Sequence, residues 1–184
     1  NTAAIENPKL ISASSKMFGS STIVASIEAI EQPNGNFMAF SDNGRNSSGL
    51  EVVSWAKELE QLGAGEILLT CVDQEGGGRG FNLFLAKQIC DAVNIPVVVH
   101  GGAGSKDHVL NLTKDIPISG VAIASLFHYD YILHNRQIEG YEEEGNIEFL
   151  KSKRTVSNIQ NISIEKLRVF LLENKILCRP YEQN

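Results

Sequence analysis

Four short apolar or β-branched runs recur along the chain, and each is followed by residues with helical spacing. The runs are Thr22-Ile-Val-Ala-Ser-Ile-Glu28, Glu66-Ile-Leu-Leu-Thr-Cys-Val-Asp73, Pro96-Val-Val-Val-His100 and Gly120-Val-Ala-Ile-Ala-Ser-Leu126. After the first, Val52, Val53, Ala56, Leu59 and Leu62 mark one face of a helix over Leu50–Leu62, closed by Gly63; helices over Leu83–Val93 and about Lys106–Thr113 follow the next two. Strands separated by helices join through crossovers rather than tight hairpins, which makes a parallel sheet with right-handed connections. Two architectures satisfy the pattern, a doubly wound sheet and part of a barrel. In both, ligands bind beyond the C-terminal ends of the strands, where this chain collects its polar and glycine residues.

The third strand end is the most informative. Pro96-Val-Val-Val-His-Gly-Gly-Ala-Gly-Ser105 reads as a buried strand, a turn whose backbone can approach a ligand closely, and the N-cap of a helix. Helix-start N–H groups lack partners within the helix and sit at the positive end of its dipole, so the turn from Gly102 to Ser105 can cradle a phosphate. A tight strand-to-helix turn with no ligand reads equally well. Elsewhere, Asn7-Pro8 predicts the N-cap and first position of a helix over about Pro8–Phe18, stopped by Gly19. Gln32-Pro-Asn-Gly-Asn36 is a turn, with Phe37-Met-Ala-Phe40 returning as a short hairpin arm. From Asn135 to Asn161, with Glu142-Glu-Glu144 and a basic cluster at Lys151–Arg154, periodicity lapses and a solvated insertion is expected. Ser163 then caps a final helix through Leu172. No linker divides the chain, so 1–184 reads as a single, partial domain.

Charge and composition narrow the function classes. A net charge of −6 argues against a general nucleic-acid binder. No apolar run reaches the roughly 18 residues that cross a bilayer, so no membrane association is expected. The three cysteines form no CxxC pair and no even disulfide set, which points to the cytoplasm. The four histidines lack metal-site spacing, and neither a metal nor a cofactor is expected. Asn1-Thr-Ala-Ala4, with no starting methionine, reads as a piece of a longer pattern.

Six stretches in this order and spacing resemble one known family. They are Asn1-Thr-Ala-Ala4, Ser26-Ile27-Glu28, Gly63-Ala-Gly-Glu-Ile-Leu-Leu-Thr70, Val72-Asp73 before a glycine-rich loop, His100-Gly-Gly-Ala-Gly104 and Ala124-Ser125-Leu-Phe127. Together they resemble the cyclase subunits of imidazole glycerol phosphate synthase, of histidine biosynthesis, in register over about Asn1–Tyr129. The terminal helix agrees loosely. The resemblance implies an α/β fold of the TIM (β/α)8 barrel type, with this chain at the C-terminal half: the fourth helix, then βα units five to eight.

The resemblance also implies a lyase-type cyclase. Such an enzyme takes a bisphosphorylated ribulosyl aminoimidazole carboxamide ribonucleotide and ammonia from a glutaminase subunit held as a heterodimer partner. It releases imidazole glycerol phosphate and aminoimidazole carboxamide ribonucleotide. Proton transfers around an imine suit a pair of carboxylates across the barrel mouth. One of the family's pair lies on a first strand that this chain does not contain; the other aligns with Glu28, where the family has aspartate. Gly101, Gly102 and Gly104, with Ala124 and Ser125 after the next strand, align with the phosphate grip. Thr2 and Thr70 match threonines that hydrogen-bond substrate, Asn43 falls at a position usually serine, and Glu75 aligns with a second aspartate. Glu66 falls where the family keeps a charged ammonia gate.

The residues themselves leave plainer readings open. Asp73 and Glu75 can equally hold their own loop through side-chain-to-backbone bonds. By strand alternation Cys71 points outward and packs against a helix, whereas His100 shares a face with Val98, where it fills space or makes a hydrogen bond. His100 departs from the family's small residue. Two other functions stay in view: a cyclase-like subunit of an amidotransferase system for acetamidino sugars of bacterial surface polysaccharide, and a non-catalytic phosphate-binding half-barrel. Unpaired edges at the Thr22 and Gly120 strands predict that an isolated half-barrel homodimerises.

Overall fold

The computed structural model describes residues 1–134 and 158–179. Its strands are β1 (Val24–Glu31), β2 (Phe37–Ser41), β3 (Asn46–Glu51), β4 (Glu66–Cys71), β5 (Val97–His100) and β6 (Gly120–Ala122). The described helices are α1 (Thr2–Glu6), α2 (Lys9–Phe18), α3 (Val52–Gln61), α4 (Leu83–Ala92), α5 (Lys106–Asp115), α6 (Ser125–His134) and α7 (Ile164–Glu173). One six-stranded sheet runs in the order β3-β2-β1-β4-β5-β6. As expected from the recurring pattern, β1, β4, β5 and β6 are parallel, while β2 pairs antiparallel with β1 and β3 antiparallel with β2.

Burial along the parallel strands decides between the two architectures left open by the pattern. Ala25, Ile27 and Ala29 of β1, Ile67, Leu69 and Cys71 of β4, and Val97 and Val99 of β5 are all buried. Their even-numbered neighbours Ser26, Glu28, Leu68, Val98 and His100 are only partly covered. A doubly wound sheet would cover both faces of its central strands. Here one face carries the core, with Trp55, Leu59, Leu85, Ile89 and Leu112 from α3, α4 and α5 fully buried, and the other face is open. This is the layering of part of a (β/α)8 barrel, helices outside and a concave inner wall.

The helix ends follow the expected chemistry. Glu51 caps α3 by accepting from the N–H groups of Val53 and Ser54 at 2.9 and 2.8 Å, which holds its carboxyl below the ordinary range despite opposing burial. Asn82 and Ser105 cap α4 and α5, and Ser163 caps α7 as expected, through the Lys166 N–H at 3.2 Å.

Three expectations are corrected. Asn7 does not cap a helix: Thr2–Glu6 already form α1, the Asn7 N–H closes onto the Ala3 carbonyl, and α2 begins after Pro8 without a side-chain cap. The β1 edge is not open along its length, because β2 pairs with Glu28–Glu31 and β3 lies outside it. Of the expected 135–161 insertion, 135–157 lie outside the described residues, whereas 158–161 are packed: Ile159 is buried and the Gln160 N–H donates to the Gly104 carbonyl at 2.7 Å.

Two outcomes follow from this one-sided core. Leu69, 1 % exposed at the centre of β4, leaves a cavity when truncated, so Leu69→Ala should cost about 2–5 kcal/mol in a denaturant unfolding curve. Cys71 packs outward as expected; its thiol is pushed up to about 11, first by burial and then by the Asp73 carboxylate. At about pH 8 it holds on the order of one thiolate in a thousand, and iodoacetamide should modify it on the order of a hundredfold more slowly in the folded protein than in urea.

Candidate functional site

Strand register builds the site. Phe40, Glu28, Thr70, His100 and Ala122 are successive cross-strand partners from β2 to β6, and all occupy the open face. One step toward the N-terminal ends, Ser26, Leu68, Val98 and Gly120 form the next row. Neighbouring strands lie about 4.8 Å apart, so Glu28, Thr70 and His100 stand side by side along the upper rim. Glu66 pairs across from Val24, two steps below Thr70 on the same face. It therefore sits at the opposite end of the inner wall from the rim.

Each rim side chain is held. The Glu28 Oε2 accepts from the Gly44 N–H at 2.8 Å. Gly44 closes a turn in which Asp42, Asn43 and Gly44 all have positive φ, 54°, 56° and 75°. The same turn is tied to α1, because the Asp42 N–H donates to the Thr2 Oγ1 at 3.0 Å and the Asn1 side-chain amide donates to the Phe40 carbonyl at 2.9 Å. Thr2 and Asn43 thus belong to the wall beside Glu28, with the Thr2 hydroxyl already engaged by backbone. Thr70 is buried, 7 % exposed, and its Oγ1 lies 3.3 Å from the His100 Nδ1. On its other side that nitrogen is 3.7 Å from the Glu75 Oε1.

The two acids of the β4–α4 loop separate in role. The Asp73 Oδ2 accepts from the Glu31 N–H at 2.8 Å, a side-chain-to-backbone bond that pins the loop to the end of β1 instead of closing within the loop as the plainer reading of its sequence has it. Glu75 makes no such bond among the described residues and faces His100 instead.

Beside this row, Glu75, Gly76, His100–Ala103 and Ala122–Ser125 enclose a cleft of about 80 Å³. It therefore gathers four of the five positions expected to grip phosphate: Gly101, Gly102, Ala124 and Ser125. Gly104 lies behind it, its N–H donated to the His108 Nδ1 at 3.1 Å. Gly104 is glycine for a different reason: a Cβ there would strike the Gly78 carbonyl. Gly102, at φ 114°, has no room either, because a Cβ would meet the Gly80 carbonyl, and the Gly80 N–H donates to the Gly102 carbonyl at 2.8 Å. The glycine loop is thus shaped both by the cleft in front and by the Gln74–Gly80 loop packed on it. Sequence reasoning singled out the glycines and missed His108, whose position four residues after Gly104 on α5 is the signal that could have found it.

A carboxylate, a hydroxyl and an imidazole along one rim can pass protons to and from a bound molecule, and the small cleft lined by glycine backbone suits an oxyanion. Among the described residues no three His, Cys, Asp or Glu side chains gather to hold a metal ion, and no helix is long and apolar enough to cross a membrane.

Sequence comparison identifies relatives of the chain. The profile of a family described as "Histidine biosynthesis protein" matches residues 1–132. A protein of Prochlorococcus marinus strain MIT 9515, named imidazole glycerol phosphate synthase subunit HisF, is 36% identical over 185 aligned residues, covering 100% of this chain and 60% of its own length. Proteins of the same name from Hydrogenobaculum sp. strain Y04AAS1 and Sulfurisphaera tokodaii are 41% and 37% identical across 80% of this chain and 58% of theirs. The chain thus spans about three-fifths of the length of these curated relatives. With the profile match over most of its length and the barrel-type layering of its sheet, the chain belongs to the histidine biosynthesis protein family.

Proposed function

We propose that this chain carries the C-terminal catalytic wall of a cyclase of the imidazole glycerol phosphate synthase type. The observation that supports it most directly is the placement of Glu28, Thr70 and the Gly101–Gly102/Ala124–Ser125 cleft on one rim of the inner wall. In this reading one phosphate of the ribulosyl aminoimidazole carboxamide ribonucleotide rests in the cleft against backbone N–H groups at the start of α6, where the helix dipole favours negative charge. The Thr70 hydroxyl hydrogen-bonds the substrate between that phosphate and Glu28.

Glu28 acts as acid and base. Its Oε2 is fixed by the Gly44 N–H, which leaves Oε1 to move a proton as ammonia condenses with the substrate carbonyl with loss of water, and as the new nitrogen closes the imidazole ring on the formimino carbon and breaks that carbon's bond to the aminoimidazole carboxamide amine. Imidazole glycerol phosphate and aminoimidazole carboxamide ribonucleotide then leave. Ammonia reaches the rim from a glutaminase partner at the other end of the inner wall, where Glu66 stands, and the enzyme works in the cytoplasm.

A second reading, a cyclase-like subunit serving acetamidino sugars, draws on one observation: His100 and Glu75 meet beside the cleft and narrow the inner wall. The deciding measurement is ammonia-dependent conversion of the histidine-pathway ribonucleotide by the protein carrying this chain. Turnover supports the cyclase; absence of turnover with retained glutaminase pairing supports the second reading. Removing the proton carrier while keeping the shape, Glu28→Gln should lower kcat on the order of a hundredfold to ten-thousandfold with a smaller change in KM. An unchanged kcat removes Glu28 from the chemistry.

A further inference from the structure

The cleft beside the rim has an unusual charge balance. Its lining includes two titratable side chains, His100 and Glu75, and no Lys or Arg. Its volume, about 80 Å³, has room for a single small oxyanion. An oxyanion entering it meets the Glu75 carboxylate, and among the described residues lining it His100 alone can supply a positive charge to offset that carboxylate.

The groups facing His100 come from four elements: Thr70 on β4, Glu75 in the β4–α4 loop, Ala122 on β6, and Glu28 further along the same row on β1. All the charged groups among them are carboxylates. The ring is oriented by its Nδ1, between Thr70 at 3.3 Å and Glu75 at 3.7 Å. Nε2, on the far side of the ring, has no hydrogen-bond partner among the described residues. Its side chain is 27 % exposed, open enough to exchange protons with solvent.

We propose that His100 is a protonation-linked positioning residue of this cleft, anchored at Nδ1 by Thr70 and Glu75 and donating from Nε2 to an oxyanion held beside Gly102 and Ser125. The proposal rests on the phosphate reading of the cleft given above. It makes anion affinity fall as the imidazolium loses its proton, which couples ligand retention to pH. Glu75 serves the imidazole rather than the anion, holding the ring in place.

Sulfate is the probe, because its charge is constant across the range in which histidine titrates. For the protein carrying this chain, sulfate affinity measured by calorimetry should fall roughly tenfold between about pH 6 and about pH 8, the effect of one linked proton. His100→Gln should flatten the profile to within about twofold over the same range. Ser125→Asp, which places a charge in the cleft without touching the imidazole, should abolish binding at every pH. In the unsubstituted protein, the imidazole titration of His100 followed by NMR should move to higher pH when sulfate is added.

The outcomes separate the two proposals. Sulfate binding that is independent of pH and lost in Ser125→Asp overturns the role of His100 and leaves the phosphate reading standing. The same pH dependence in His100→Gln, or an imidazole titration that sulfate does not move, also overturns it. No binding at any pH, or binding that survives Ser125→Asp, overturns both.

Discussion

One-sided burial of the parallel sheet is the constraint on which the rest of the molecule depends. Because α3, α4 and α5 cover a single face, the odd-numbered residues of β1, β4 and β5 form the core, and the even-numbered ones share the inner wall. A parallel sheet preserves this parity from strand to strand, since each register pairing places like face beside like face. Glu28, Thr70 and His100 come together for that reason, although 72 residues of sequence separate the first from the last. A one-residue slip of β4 against its neighbours would put Leu69 on the rim and Thr70 in the core, so the hydrophobic term that stabilises the fold also enforces the geometry of the rim.

The loops above the strands show a second economy. Gly102 and Gly104 lie in a turn that borders the cleft in front and another loop behind, with Gly80 and Gly78 pressed against them. Carbonyl and N–H groups of that contact are paired, Gly80 to Gly102 and Gln160 to Gly104, so the loops brace one another through backbone. A cleft wall built in this way needs no side-chain rearrangement to present its amides. That is the preorganisation an electrostatic site requires, since dipoles already in place cost nothing to orient when charge arrives. The Asp42–Gly44 turn does the same on the other side of the rim, where it holds the Glu28 carboxylate by a single N–H.

Much of this was legible in the residues, and the gaps have physical causes. β1, β4 and β5 carry β-branched or apolar runs and α3 and α4 carry clean apolar periods, so local pattern and tertiary role agree. β3 was not anticipated, because Asn46-Ser-Ser-Gly-Leu-Glu51 has little intrinsic strand preference; pairing with β2 makes it a strand. α1 is masked by Asn7-Pro8, which signals a helix start directly after a five-residue helix too short to show an apolar period of its own. The packing of Ile159 and Gln160 was lost within a polar stretch whose composition resembles a solvated loop.

The periodicities, the Ser105 and Ser163 caps and the identity of the rim residues were set by sequence alone, because hydrophobic spacing and capping chemistry act over a few residues. It also carried the family through motifs whose order is as telling as their content. Only the tertiary structure decided that one face of the sheet is open, that Asp73 braces β1 while Glu75 faces His100, and that Gly104 stands behind the cleft instead of in it. These depend on which strands and loops become neighbours across long separations. Neighbourhood of that kind is set by the packing of the whole sheet against its helices, to which no short stretch of sequence has access.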